Sequence, residues 1–146
     1  MATIKIMNQA DITGLGSSVT KVASPSGNAT TSYLMSGLAA PVTPTFTGRV
    51  LVTICGQVTN ATTNDGSLIQ IAYGTGSAPV NGAAASGTVV GSPTGATIAG
   101  GPVPFSLTVV VTGLNIGTAY WFDAQIKAVT GGTVSLSNVT VTLVEC

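Results

Sequence analysis

Short runs in which β-branched and polar residues alternate constrain what this chain can fold into. In Gly48–Asn60, "GRVLVTICGQVTN", Val50, Val52 and Ile54 fall on one face of an extended strand and the intervening residues fall on the other. Nowhere over ten residues do Ala, Leu, Glu and Lys gather at the i, i+3, i+4 spacing of a helix. Because Gly, Pro and Asn separate the alternating runs, the pattern predicts an all-β protein.

The alternation changes phase near the end of the chain. Val134 and Leu136 share one face, but after Ser137-Asn138 the apolar residues Val139, Val141 and Leu143 occupy that face. A slip of one residue is what a β-bulge produces, so we predict a bulge at this position. The other face of the strand carries hydroxyl groups: Thr133, Ser135, Thr140 and Thr142. Such a face suits a surface that is shared or tightly packed.

Seven or eight strands can be counted over about 110 residues, which predicts a two-sheet antiparallel β-sandwich. The Cys–Trp–Cys pattern of immunoglobulin domains is missing, so a jelly-roll-like arrangement is favoured. Residues 1–35 alternate weakly and include the turn-rich stretch Ser24–Ser32. We interpret residues 1–35 as an extended N-terminal arm and residues 36–146 as the sandwich domain.

Charged residues make up only 5% of the chain, against about 25% in ordinary soluble domains. The four cations and four anions are scattered singly and sum to zero. Nucleic-acid binding needs clustered positive charge, so a nucleic-acid partner is not expected. A weakly charged surface also keeps a free monomer poorly soluble, which favours a chain that is covered by copies of itself.

No membrane association is expected, because no stretch of about 18 apolar residues is present. The N-terminal residues also lack the pattern of a signal peptide, which predicts a product made in the cytoplasm. The two cysteines, Cys55 and Cys146, are then expected to be reduced thiols, although a disulfide between them is the alternative.

The sequence shows no catalytic constellation, and we expect no enzyme, metal or cofactor. Histidine is absent, which removes the commonest general base and metal ligand. Asp123 lies beside Trp121, a pairing seen in sugar-binding sites, and Asp123 could be one of two carboxylates of a glycosidase. The simpler interpretation places Asp123 on the solvent face near Lys127 or Arg49.

Four segments of residues 44–146, about 70% of the chain, resemble a recurrent module of tailed-bacteriophage genomes. They are "PTFTGRVLVTICG", "YGTGSAPVNGAA", "VTGLNIGTAYWFD" and "VTGGTVSLSNVTVTLVE". Proteins of this kind are small virion components. The resemblance implies jelly-roll trimers on the outside of particles, as head decorations or as heads of fibres and spikes. It transfers no catalytic residue, and it does not extend to residues 1–35.

Together these observations predict a viral structural protein, a homotrimeric capsid decoration (cement or spike) protein on the outer surface of a phage head. Its arm would dock on the major capsid protein, and the residues expected at that contact are Ile4, Ile6, Ile12 and Leu15. These four side chains could equally close the end of the jelly roll. The alternative is a receptor- or glycan-binding head module of a tail fibre, in which Tyr73 and Trp121 stack on sugars.

Overall fold

The computed structural model describes residues 18–23, 27–97 and 101–146, with only the backbone described for residues 18–22, 96 and 97. This part of the chain contains strands and no helix, which confirms the predicted all-β class. The strands are β1 (Ser18–Ala23), β2 (Leu34–Met35), β3 (Ala40–Val42), β4 (Val50–Asn60), β5 (Gly66–Thr75), β6 (Thr88–Thr97), β7 (Val103–Val111), β8 (Tyr120–Ala128) and β9 (Val134–Glu145).

The strands form two antiparallel sheets that face each other. The four-stranded sheet has the order β1-β9-β4-β7, and the five-stranded sheet has the order β2-β8-β5-β6, with β3 also paired to β8. Because β2 and β3 both pair with β8, they act as one interrupted strand. The first strand then pairs with the last, the second with the last but one, and so on inward to the β5–β6 hairpin. This nested pairing across two sheets is the jelly-roll arrangement that the sequence predicts.

The core between the sheets follows the predicted alternation. Val50, Val52 and Ile54 of β4 are fully buried, and the intervening residues are half-buried on the outer face. In β9 the buried positions change phase as predicted, and the register of the β4–β9 pair shifts between Cys55 and Gln57. Asn138, which lies opposite that shift, has a φ of 51°, a conformation that asparagine tolerates better than most residues. The predicted β-bulge is therefore confirmed.

Part of the predicted arm belongs to the sheets. Ser18–Ala23 pairs with β9, and Leu34–Met35 pairs with β8, so these two segments of residues 1–35 are strands of the sandwich. In the four-stranded sheet, β1 is the strand that lies beside β9 on the side away from β4. The predicted arm contacts Ile4, Ile6, Ile12 and Leu15 lie outside the described residues.

The strand directions give the sandwich two distinct ends. At one end lie loops 43–49 and 112–119, the start of β1 and the end of β9, and we call this the entry end. At the opposite end, called the far end, lie loops 61–65 and 129–133. Ser18, the first residue that the structure describes, pairs with Val144 at the entry end.

Candidate interaction surface

Asp123 lies inside the protein and fastens the interruption between β2 and β3. It is fully buried, and its carboxylate accepts hydrogen bonds from Ser36 Oγ at 2.6 Å and from the backbone N–H groups of Gly37 and Leu38 at 2.9 Å. The backbone N–H of Ala124 adds a fourth bond at 2.8 Å. Burial raises the pKa of Asp123, and these hydrogen bonds act in the opposite direction. The expectation of a solvent-facing Asp123 is wrong, because the residues between β2 and β3 enclose it.

Glu145 fastens loop 43–49 in the same way at the entry end. Its carboxylate accepts hydrogen bonds from four successive backbone N–H groups, those of Thr45, Phe46, Thr47 and Gly48, at 2.6 to 3.3 Å. The hydroxyls of Thr45 and Thr47 also donate to it. Burial acts to raise the pKa of Glu145, but the backbone N–H groups of Thr45, Thr47 and Phe46 and the Thr45 hydroxyl outweigh burial and lower that pKa to about 2.

Asp65 joins loops 61–65 and 129–133 at the far end. It accepts from the Thr130 hydroxyl at 2.7 Å, from the backbone N–H groups of Gly66, Thr130 and Gly131, and from Asn60 Nδ2. The Thr130 hydroxyl lowers the pKa of Asp65 most; burial opposes it, and the three backbone N–H groups assist it, leaving a pKa of about 2. These bonds tie the two loops together, and the turn that the sequence predicts at Asp65-Gly66 is held in place by this carboxylate.

These carboxylates predict how stability depends on pH. Ordinary values are 3.8 for Asp65 and 4.5 for Glu145, and folding lowers the pKa of both to about 2, so their contribution is complete above pH 4.5 and is lost as the pH falls toward 2. The raised pKa of Asp123 has the opposite effect, because its contribution to stability decreases as the pH rises above 3.8. We expect the thermal unfolding midpoint to fall as the pH is lowered from 4.5 to 2, because the contributions of Asp65 and Glu145 are both lost in that range.

Calorimetry at fixed protein concentration measures this dependence, and Glu145→Gln provides the comparison. The variant lacks one of the two groups that lose stability in acid, so its midpoint starts lower and falls less on acidification. A wild-type midpoint that stays level down to pH 2 would contradict the role given to these two side chains.

The outer side of β8 and of the adjoining part of β5 is covered by the chain itself. Segment 76–87, which follows β5, folds back over it and pairs with β2 through Met35 N–H to Ala83 O and Gly82 N–H to Met35 O, both at 2.9 Å. Beneath it the polar side chains bond to one another, since Gln70 Nε2 donates to Gln125 Oε1 and Gln125 Nε2 donates to Ser86 O. The outer side of β6 stays open, and Val89 there is 45% exposed.

Trp121 belongs to the covered face and is only 6% exposed. Its indole N–H donates to Thr75 O at 3.2 Å, and a side chain at Gly87, where φ is 83°, would collide with the indole ring. Tyr73 lies on the other side of the sheet, half-buried against the core and stacked on Phe122 at 5.5 Å between ring centroids. Neither ring is the exposed sugar-stacking platform that the sequence suggested, because segment 76–87 covers the first and the core takes the second.

The outer face of the four-stranded sheet is the accessible one. Its side chains on β4 and β9 are half-buried, and those on β7 are exposed. In the part of this face whose side chains are described, none is charged. These residues are Leu51, Thr53, Cys55, Gln57 and Thr59 of β4, Pro104, Ser106, Thr108 and Val110 of β7, and Ser135, Ser137, Thr140, Thr142 and Val144 of β9. We call this set the open face.

The open face is arranged in rows across the strands. Leu51 lies between Val110 and Val144 in an apolar row, and Val110 is 43% exposed. In the next row Thr53 lies between Thr108 and Thr142, and the hydroxyls of Thr53 and Thr108 are 3.2 Å apart. Hydroxyl groups that hydrogen-bond to each other lose fewer bonds to water when they are buried. Burying such a surface therefore costs less free energy than burying a charged one.

The described residues offer little for chemistry. They contain no group of three or more His, Cys, Asp or Glu side chains that could hold a metal ion. Cys55 and Cys146 are free thiols, as expected. An open cavity of about 450 Å³ lies at the far end, and its lining consists of small and hydroxyl residues: Ala29, Thr30, Thr31, Gly131, Gly132 and Thr133. In the same described ranges, no helix is long and apolar enough to cross a membrane.

Comparison with known proteins adds no identity. The chain matches no known protein family, and no curated protein matches its sequence. The surface must therefore be interpreted from its own geometry.

Proposed function

We propose that this chain is a structural protein of a virus particle, a decoration protein that assembles into a homotrimer and covers part of the outer surface of a phage head. The observation that carries the proposal is the distribution of charge. All three described carboxylates are at most 6% exposed and bond to the protein's own loops, and the open face carries no charge in its described part.

An uncharged face suits contact between identical molecules. When copies of one chain meet around a symmetry axis, like charges can be brought together, and each such meeting is unfavourable. Threonine hydroxyls and aliphatic side chains avoid that repulsion and can be buried with small desolvation cost. The open face is therefore the surface through which we expect the copies to associate, because segment 76–87 already covers the outer side of β8 in the other sheet.

In this proposal the arm residues Ile4, Ile6, Ile12 and Leu15 contact the major capsid protein, as expected from the sequence. Such an arm could add a strand to an exposed sheet edge of that partner. The resemblance of residues 44–146 to phage virion modules supports the same class of particle.

The alternative, a glycan-binding head of a tail fibre, receives less support. Its two candidate rings are Trp121, which is covered, and Tyr73, which faces the core. The cavity at the far end is lined by threonine, glycine and alanine and has no aromatic ring against which a sugar could stack.

Locating the chain on intact particles tests the proposal. Particles made from the genome that encodes this chain are purified, and the chain is identified by mass spectrometry and placed by cryo-electron microscopy. We expect density for three copies per site on the outer surface of the head. Particles that lack the chain, or carry it only at the tail tip, would overturn the proposal, and in the second case a glycan array would test the alternative.

A further inference from the structure

Three of the six large apolar side chains that are exposed among the described residues lie at the entry end. Phe46 and Ile116 are each 58% exposed and belong to its two loops, and Val110, at the entry end of β7, is 43% exposed. The other three are Val80 of segment 76–87 at 72%, Val89 of β6 at 45% and Val129 of the far end at 48%. In loops 61–65 and 129–133 of the far end, the exposed residues are Ala61, Thr62, Thr63, Asn64, Val129 and Thr130.

Loops 43–49 and 112–119 are fastened to each other. Leu114 N–H donates to Gly48 O at 2.9 Å, and Gly117 N–H donates to Pro44 O at 2.8 Å. The two bonds bracket Phe46 in one loop and Ile116 in the other. The two hydrogen bonds therefore hold the segments that carry Phe46 and Ile116 against each other.

Loop 43–49, which carries Phe46, is also held in place by the Glu145 carboxylate, which accepts hydrogen bonds from the backbone N–H groups of residues 45 to 48. An exposed aromatic side chain on a preorganised loop loses little conformational entropy on binding. Large side chains of this kind are the ones that dominate binding energy at protein interfaces. Phe46 and Ile116 thus have the features of an anchor, which an isolated surface hydrophobic residue lacks.

The only charged side chain in this loop before β4 is Arg49, which is exposed. The described surface offers it no aspartate or glutamate, since Asp65, Asp123 and Glu145 are all buried and bonded to loops. A partner that contacts the entry end is therefore favoured if it presents an apolar recess bordered by a carboxylate.

We infer that the entry end, with Phe46 and Ile116 at its tip, faces the capsid protein, and that the threonine-rich far end points away from the particle. The position of Ser18 supports this orientation, because it pairs with Val144 at the entry end and directly follows, in the sequence, the residues expected to contact the capsid protein. The inference rests on the proposed function, and it adds the orientation and a second contact beside the arm.

Binding to particles tests the orientation. Particles are made from the same genome with this gene deleted, and purified full-length chain is added in increasing amounts. The test variant is Phe46→Ser with Ile116→Ser, and the control is Val129→Ser at the far end. We expect the double variant to bind at least about tenfold more weakly and the control to bind like the wild type. Circular dichroism and the oligomeric state establish that both variants fold and assemble.

The salt dependence of binding by Arg49→Ala gives a second measurement, which would not change if Arg49 had a purely structural role. We expect weaker binding and a smaller effect of salt on binding than in the wild type, because an ion pair to the partner is lost. A double variant that folds, assembles and saturates the particles like the wild type would overturn the orientation and leave the decoration function standing. Wild-type chain that does not bind the particles would instead overturn the decoration function.

Discussion

Replacing Asp123 by alanine is expected to lower the free energy of unfolding by about 3–5 kcal/mol, because each buried donor left without a partner costs about 1–3 kcal/mol. The carboxylate accepts from Ser36 Oγ and from the N–H groups of Gly37, Leu38 and Ala124; the bond from Gly37 is partly buried and the other three are buried. Urea unfolding at fixed protein concentration measures the loss.

Ser36→Ala is the matched control, since it removes one donor and leaves the carboxylate bonded to the backbone. We expect that variant to lose about 1–2 kcal/mol. If Asp123→Ala were as stable as Ser36→Ala, the carboxylate would not be what holds the interruption between β2 and β3, and the account of its burial would be wrong.

Placing a lysine in the centre of the open face, Thr53→Lys, is expected to weaken self-association by more than about a hundredfold. Thr53 lies on β4, a middle strand of the four-stranded sheet, between Thr108 and Thr142. A lysine ammonium at this position would face hydroxyl and aliphatic groups of the next copy and no carboxylate. Burying an unpaired charge of this kind costs several kcal/mol. Sedimentation velocity over a dilution series measures the change.

Thr63→Lys is the control for Thr53→Lys, because Thr63 is an exposed residue of loop 61–65 at the far end. It adds the same charge without touching the open face, and we expect it to associate like the wild type. The unfolding midpoint of the wild type should rise with protein concentration, and that of Thr53→Lys should not. A Thr53→Lys protein that remains trimeric on dilution would remove the open face from the proposed assembly.

Much of the fold follows from local alternation in the sequence. The faces of β4 and the change of phase in β9 are both visible in the order of apolar and polar residues. The reason is that one face of each strand must be buried, so the period of two fixes which side chains point inward. The nested pairing fits the strand count, but the choice of partners needs contacts between distant segments.

The roles of the carboxylates could not be predicted in this way. Asp123 bonds to residues 36–38 and Glu145 to residues 45–48, so each role depends on a loop that is remote in sequence. One signal was available, because aspartate is unfavourable inside a strand and an Asp at the centre of β8 needs a compensating set of donors. The burial of Trp121 was missed for a related reason: the segment that covers it has no hydrophobic pattern of its own.

The nested pairing has a consequence for biosynthesis. β9 lies between β1 and β4 in the four-stranded sheet, yet it is the last strand of the sandwich to leave the ribosome. Until β9 emerges, β1 and β4 lack the strand that lies between them, and Ser18 cannot pair with Val144. Completion of this sheet must therefore wait until β9 has emerged, at the slow rates typical of sequence-distant pairing, and the unpaired strands are vulnerable to aggregation in the meantime.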